Sequence, residues 1–244
     1  MLFLALRARM TADELTSWRK AERRRLIAAR EALDASTVER FRLRIDTHLE
    51  RSFPGLVAAR IALCWPLRGE YDARPLAGRL RDLGAVTALP VVVGPKQSLV
   101  FREWHPGVPL ASGPRGIPYP RDSARVLPSI VLLPLRGWDG AGYRLGDGTD
   151  HFDRTLASMA PKPVAIGISY ELARMNRIHP QSGDIPMDWV VTERGVYRRD
   201  PDGLAFIGDA PAGAPSAVAS PVCYADEIAP EHFDERTSPP SSEQ

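Results

Sequence analysis

Ser129-Ile-Val-Leu-Leu-Pro-Leu135 and, further on, Pro163-Val-Ala-Ile-Gly-Ile-Ser169 are apolar almost without alternation. A strand with one face in water alternates polar and apolar residues, whereas a strand covered on both faces does not. Ala59–Trp65 and Val86–Val93 have the same character. Ala73–Leu83 and Phe152–Met159, which lie between these runs, read as helices. Such alternation predicts an α/β fold: a mostly parallel sheet with helices on both faces, whose ligands sit beyond the carboxyl ends of the strands. The loops after Trp65, Leu135 and Ser169 are therefore where chemistry is expected. Trp189–Thr192 and Val196–Arg198, joined through Arg194-Gly195, predict a closing hairpin.

Upstream of the strands, Thr11-Ala-Asp-Glu14 reads as a capping box opening a helix that runs to about Leu33. Ser36-Thr-Val-Glu39 reads as a second box, and Phe41, Ile45 and Leu49 behind it keep a spacing of four on one helical face. The first helix carries Arg19, Lys20, Arg23, Arg24, Arg25 and Arg30. That run is either a solvated face or one wall of an anion site, and by itself it reads as solvated. From about Asp209 the chain is rich in Ala, Pro, Ser and acidic residues, which predicts a flexible tail. The expected organisation is one α/β domain over residues 1–208, with a helical pair at about 11–51, and a tail over 209–244.

With 244 residues, 44% hydrophobic and 25% charged, the chain can bury one sizeable core. Its 32 basic and 30 acidic residues nearly cancel, so no nucleic acid or anionic membrane is called for as a partner. Cys64 and Cys223 are too far apart for a CxxC pair, and a reducing cytoplasm is the expected location. Arg7 and Arg9 interrupt the N-terminal apolar residues short of the roughly 7–15 that an export signal carries. Met10 directly precedes the first helix, so residues 1–9 read as an upstream extension.

Two loops carry residues of chemical interest. In Trp65-Pro-Leu-Arg-Gly-Glu70-Tyr-Asp72, a Glu just past a Gly at a strand end can accept two hydrogen bonds from a planar N–H pair such as a pterin or guanine edge presents. Taken alone, Glu70 and Asp72 read as surface charge, with Asp72 capping the next helix. The second loop leaves a strand at Leu133, passes five glycines and enters a helix near Phe152, which is how backbone N–H groups are offered to phosphate oxygens. Its spacing is neither a Walker A motif nor GxGxxG. His48 and His105 read as surface residues, and His151 between Asp150 and Asp153 as helix-start polarity rather than a metal cluster. Ser169 lacks the second glycine of a nucleophile elbow.

The second loop resembles the pattern F-D-x-x-G-x-R-L-G-x-G-G-G-Y-Y-D-R of the 5-formyltetrahydrofolate cyclo-ligases. Asp139, Gly142, Arg144, Leu145, Gly146, Gly148, Phe152, Asp153 and Arg154 match it. Trp65 to Asp72, Ala88-Leu-Pro-Val-Val, Phe101, Ile166–Ala173 and the Ile178–Glu193 stretch resemble further family segments in the same order. The resemblance implies a three-layer, NagB/RpiA/CoA-transferase-like fold, and an enzyme that joins Mg-ATP to 5-formyltetrahydrofolate to give 5,10-methenyltetrahydrofolate, ADP and phosphate. It implies Glu70 on the folate ring, and Arg144, Leu145, Gly146, Asp147, Gly148, Thr149, Asp150, His151 and Phe152 on ATP, with Arg144 also catalytic. Magnesium would fall to Asp153 and Asp184, and the family's ATP-gripping K-x-x-x-R to Lys20 with Arg24 or to Arg19 with Arg23. A monomer or homodimer acting on small molecules in the cytoplasm is implied, with no nucleic-acid or membrane partner.

This chain departs from the pattern where three glycines become Gly148-Thr149-Asp150 and an aromatic pair becomes His151-Phe152. Ala173 stands near a position where many relatives have Gln, and Gly183 where they have His or Glu. The alternative reading is thus a paralogue that binds folate or nucleotide without turnover. A third is a nucleotide-binding protein acting on another one-carbon or amide substrate.

Overall fold

A computed structural model describes residues 10–208 of the chain. The expected tail over 209–244, Cys223 and the expected upstream extension over 1–9 lie outside the described residues. Helix α1 (Ala12–Glu31) opens on the expected capping box, with Glu14 N donating to Thr11 Oγ1 at 3.2 Å and Thr11 N to Glu14 Oε2 at 2.7 Å. Helix α2 (Ala35–Ser52) starts earlier than the Ser36 box predicts. Asp34 is its N-cap, accepting from Thr37 N at 2.9 Å and from the Ser36 and Thr37 hydroxyls. A carboxylate is the stronger acceptor for free N–H groups and takes the capping position from Ser36, while Glu39 pairs with Arg42 instead.

A 3-10 turn (Pro54–Ala58) leads into β1 (Arg60–Ala62), followed by α3 (Arg74–Asp82), β2 (Val86–Val91) and β3 (Val100–Glu103). A side ribbon of β4 (Leu110–Ser112) and β5 (Pro118–Pro120) precedes β6 (Ile130–Pro134), β7 (Trp138–Asp139) and α4 (His151–Ser158). The described residues end with β8 (Val164–Ile168), β9 (Arg174–Met175), β10 (Trp189–Thr192), β11 (Gly195–Asp200) and β12 (Gly203–Gly208). Among the described residues, eight strands form the main sheet in the order β12-β11-β10-β8-β6-β1-β2-β3. Neighbours from β10 to β2 are parallel, and the edges β3, β11 and β12 are antiparallel. The sheet is therefore mostly parallel, as expected.

The strands are covered on both faces, which is why they lack alternation. Ile61, Leu63, Ile130, Leu132, Ile166 and Val191 point to one side and pack with Ile45 and Leu49 of α2 and Leu76 and Leu80 of α3. Ala62, Val131, Leu133, Ala165 and Val190 point to the other and meet Leu26 of α1, Leu156 of α4 and Trp138. The closing hairpin turns one residue earlier than expected, with Thr192 opposite Gly195. The strand β12 has no counterpart in the sequence reading. Among the described residues no helix is long and apolar enough to cross a membrane.

Candidate functional site

The carboxyl ends of β1, β6 and β8 deliver three loops to one place, and α1 lies across them. After β1, a left-handed turn at Arg68 and Gly69 folds Glu70 back into the protein. Glu70 is buried rather than a surface charge. Its carboxylate accepts from Leu67 N at 3.2 Å, and stands 3.5 Å from Arg30 Nη2 and 3.9 Å from Arg136 Nε. Burial pushes the carboxyl above its ordinary value, and the Arg30 and Arg136 charges oppose that rise without cancelling it. Asp72 bonds Arg74 N at 3.0 Å at the entry to α3 and pairs with the Arg74 guanidinium.

Glu70 borders a narrow cleft with Leu26, Arg30, Leu135, Ile168 and Tyr170. The Tyr170 hydroxyl is buried without a hydrogen-bond partner among the described residues. Burial pushes this phenol up to about 12, so it stays a donor. A buried donor without a partner costs about 1–3 kcal/mol, which a polar ligand in the cleft would recover. The Ser169 hydroxyl is committed to Leu135 O at 3.0 Å and is not a free nucleophile.

The loop after β7 begins at Leu145, which is fully buried and donates its N–H to Gly137 O at 2.8 Å. Arg23 Nε donates to Gly146 O at 2.8 Å. At Gly148, whose φ is +90°, a Cβ would lie 3.5 Å from the Arg23 guanidinium, so glycine lets the loop lie against that side chain. Asp147 accepts from Thr149 N at 3.0 Å and Thr149 Oγ1 at 2.6 Å, and pairs at 2.9 Å with Arg115 from the β4–β5 ribbon. Burial alone would raise the Asp147 carboxyl, but these bonds and the Arg115 and Arg136 charges bring it below its usual value. Asp150 takes a left-handed conformation (φ 50°) and makes no side-chain cap to α4; its carboxylate pairs with Arg154 at 2.8 Å. His151 Nδ1 lies 2.9 Å from Gln97 O.

Of the two candidate basic pairs on α1, Arg19 and Arg23 face these loops, and Lys20 and Arg24 are exposed. Arg19 bonds Asp184 Oδ2 at 2.7 Å, His179 O at 3.1 Å and Gln181 Oε1 at 3.1 Å. Burial lowers Arg23, as do the neighbouring charges of Arg19 and Arg136. The arginine run is thus no plain solvated face: Arg19, Arg23, Leu26 and Arg30 fall on the side of α1 turned to the protein. His48, expected on the surface, is also buried.

Arg144, expected on the phosphates, spends both Nη atoms on Asp153, each at 2.7 Å. Asp153 Oδ1 also accepts from Ile185 N at 2.9 Å, which brings Asp153 next to Asp184. The two aspartates implied for magnesium are therefore neighbours, but each is engaged by a guanidinium and a backbone N–H. Among the described residues no three His, Cys, Asp or Glu side chains gather to hold a metal ion. This donor set does not fit an ion held by the protein alone, because magnesium needs six oxygen ligands near 2.1 Å.

Sequence reasoning missed Arg136 and Tyr170 as site residues and left Arg30 in an undivided basic run. The signal for Arg30 was its spacing of 4, 3 and 4 with Arg19, Arg23 and Leu26, one helical face. Arg136 was marked only by its place in the loop after Leu135.

Residues 15–193 match the 5-formyltetrahydrofolate cyclo-ligase family. A 5-formyltetrahydrofolate cyclo-ligase of Escherichia coli is 30% identical over 151 residues, covering 59% of this chain and 83% of that protein. One from Mycolicibacterium smegmatis is 29% identical over 140 residues, covering 54% of this chain and 72% of the relative. The 5,10-methenyltetrahydrofolate synthetase of Aquifex aeolicus has a similar structure, with a TM-score of 0.66, 27% identity and coverage of 77% of this chain and 96% of that one. That of Mycoplasma pneumoniae, at 0.59 and 17% identity over 72% of this chain and 98% of that one, bears on the fold alone. The order of the loops along the chain, their convergence at the strand ends and a match over residues 15–193 lead to one assignment: this chain belongs to the 5-formyltetrahydrofolate cyclo-ligase family.

Proposed function

We propose that this chain converts 5-formyltetrahydrofolate to 5,10-methenyltetrahydrofolate at the expense of ATP. The observation that carries the reading is the placement of a buried carboxylate, Glu70, beside a glycine loop flanked by Arg19, Arg23 and Arg136, at the carboxyl ends of β1, β6 and β8. Such a reaction needs two ligands held in one orientation and negative charge neutralised, rather than a protein nucleophile.

In this reading the pterin edge enters the cleft beside Glu70. Its N–H donors bond the carboxylate, adding to Arg30 and Arg136 in favouring the ionised form. Tyr170 supplies a further donor there. The triphosphate lies along Gly146–Phe152, where the start of α4 carries no side-chain cap. Arg23 backs the loop, and Arg19 fixes the Gln181–Asp184 turn beside it. Arg144 orders the loop by holding Asp153. Magnesium would come bound to the nucleotide, as Mg-ATP, and would supply positive charge to the phosphates. The cytoplasm, where both substrates occur together, is the proposed site of action.

The test is direct: purified protein is incubated with 5-formyltetrahydrofolate, ATP and magnesium, and the near-ultraviolet absorbance of the methenyl product is followed. Product that appears only with ATP supports the reading. Binding of both ligands without product would move the chain to the non-catalytic alternative.

A further inference from the structure

We propose that Arg136 contacts the phosphoryl group in transit, because its guanidinium stands between the Glu70 cleft and the glycine loop with donors that no other described residue takes. The inference rests on the function proposed above and assigns a catalytic residue within it.

The backbone fixes where Arg136 sits. Leu135 N donates to Ile168 O at 2.8 Å on one side, and Gly137 O accepts from Leu145 N at 2.8 Å on the other. A Cβ on Gly137 would lie 2.8 Å from both Leu26 Cδ1 and Met175 Sδ, so this short bridge between the strand end and the loop is closely packed. The Arg136 side chain is largely buried, at 18% exposure. Among the described residues its one polar partner is Glu70, 3.9 Å from Nε and too far for a hydrogen bond.

The other arginines around the loop each make at least one hydrogen bond or ion pair, Arg23 through its Nε alone. Arg19 holds Asp184, and Arg23 holds Gly146 O. Arg30 donates to Arg68 O at 2.9 Å, Arg115 pairs with Asp147 and Arg144 with Asp153. Arg136 therefore keeps its planar fork of donors for a ligand, and that fork matches the oxygens of a phosphoryl group. Its charge is felt on both sides: it opposes the rise of Glu70 and contributes to the lowering of Asp147, Arg23 and Arg30. An anion between Arg23, Arg30 and Arg136 would relieve that crowding of like charges.

In the transfer step, the bond from the terminal phosphorus to its bridging oxygen breaks, and ADP leaves with the electron pair. A bond forms between that phosphorus and the formyl oxygen. In the second step the other folate nitrogen attacks the formyl carbon, the carbon–oxygen bond breaks, inorganic phosphate leaves with that pair, and the nitrogen's proton passes to solvent. In both steps Arg136 donates to the non-bridging phosphoryl oxygens, where charge accumulates.

The test compares the full chain with Arg136→Gln and Arg136→Lys. Loss of a donor aimed at developing charge predicts a fall in kcat of about 100- to 1,000-fold for Arg136→Gln. The KM values for both substrates should stay within about threefold, because the contact forms once the phosphoryl group has left ADP, at the position that free phosphate also takes. Arg136→Lys keeps the charge without the fork and should fall between the two. Calorimetry with inorganic phosphate alone should show binding about tenfold or more weaker in Arg136→Gln than in wild type. An unchanged kcat, or a raised folate KM with kcat preserved, would overturn the assignment and leave Arg136 as a counter-charge to Glu70. Should Arg136→Gln fail to fold, the lysine variant decides: a reduced kcat at wild-type melting temperature supports the contact, and full kcat overturns it. Wild type without turnover would refute the proposed function, and phosphate binding would still judge Arg136: equal affinity in wild type and Arg136→Gln refutes the contact, and its loss supports it.

Discussion

Glu70 shows how much a single carboxylate can be asked to do. It is buried beside two guanidiniums, and its carboxyl still titrates above the ordinary 4.5 because lost hydration outweighs their attraction. Below 4.5 it is protonated in both folded and unfolded chains. As pH climbs through the raised folded value, the native state takes on a poorly hydrated charge, and stability falls relative to a chain without that group. Glu70→Gln should therefore gain in melting temperature relative to wild type as pH rises above 4.5. The same variant should bind 5-formyltetrahydrofolate more weakly by about 1.5–3 kcal/mol, the worth of a charge-assisted hydrogen bond, while ATP affinity changes little. Calorimetry with each ligand checks this, and equal loss of both would place Glu70 outside the folate cleft. The sequence could suggest a planar N–H partner for Glu70, but not its burial, which depends on Arg30 arriving from a helix far upstream.

The glycine loop and α4 invite a test as a unit. In place of the family's three glycines stand Gly148, Thr149 and Asp150, and a capping role for Asp150 would have withheld the N–H groups a phosphate needs. Asp150 instead turns outward to Arg154 from a left-handed backbone. A left-handed conformation costs an ordinary residue about 1–2 kcal/mol, and an exposed ion pair returns at most about 1 kcal/mol. Replacing Thr149 and Asp150 with glycine together should thus leave the melting temperature within a few degrees of wild type and lower the apparent KM for Mg-ATP. A higher KM would mean that the Thr149 bonds to Asp147 shape the phosphate loop. The capping box of α1 and the unalternating strands were legible because both are local patterns. The start of α2, the hairpin register and the two-residue ribbon of β7 and β9 were not, since competing acceptors and distant partners decide them. The β12 strand was missed for the same reason: its pairing with β11 gives it order that its short apolar stretch does not announce.

At the scale of the whole molecule, the sheet brings the ends of β1, β6 and β8 together, and the family motif named most residues that gather there. It did not name Arg136, whose position between two loops exists only once the sheet has formed. The helix α1 is fastened differently from the rest. Leu26 is its one apolar residue in the fully buried core, and Arg19, Arg23 and Arg30 do much of the remaining holding, Arg19 reaching Asp184 across 165 residues of chain. Contacts of that kind are worth less than apolar burial and carry a surplus of positive charge, so α1 should be among the first segments to open transiently from the native state. Its amides should exchange with deuterated solvent sooner than those of β6 and β8. An anion that neutralises the arginines would stabilise the closed form, and saturating Mg-ATP should slow exchange across Ala12–Glu31 more than across α2. Occupancy of the site would then be readable as protection of the helix that roofs it, in a measurement that needs no turnover at all.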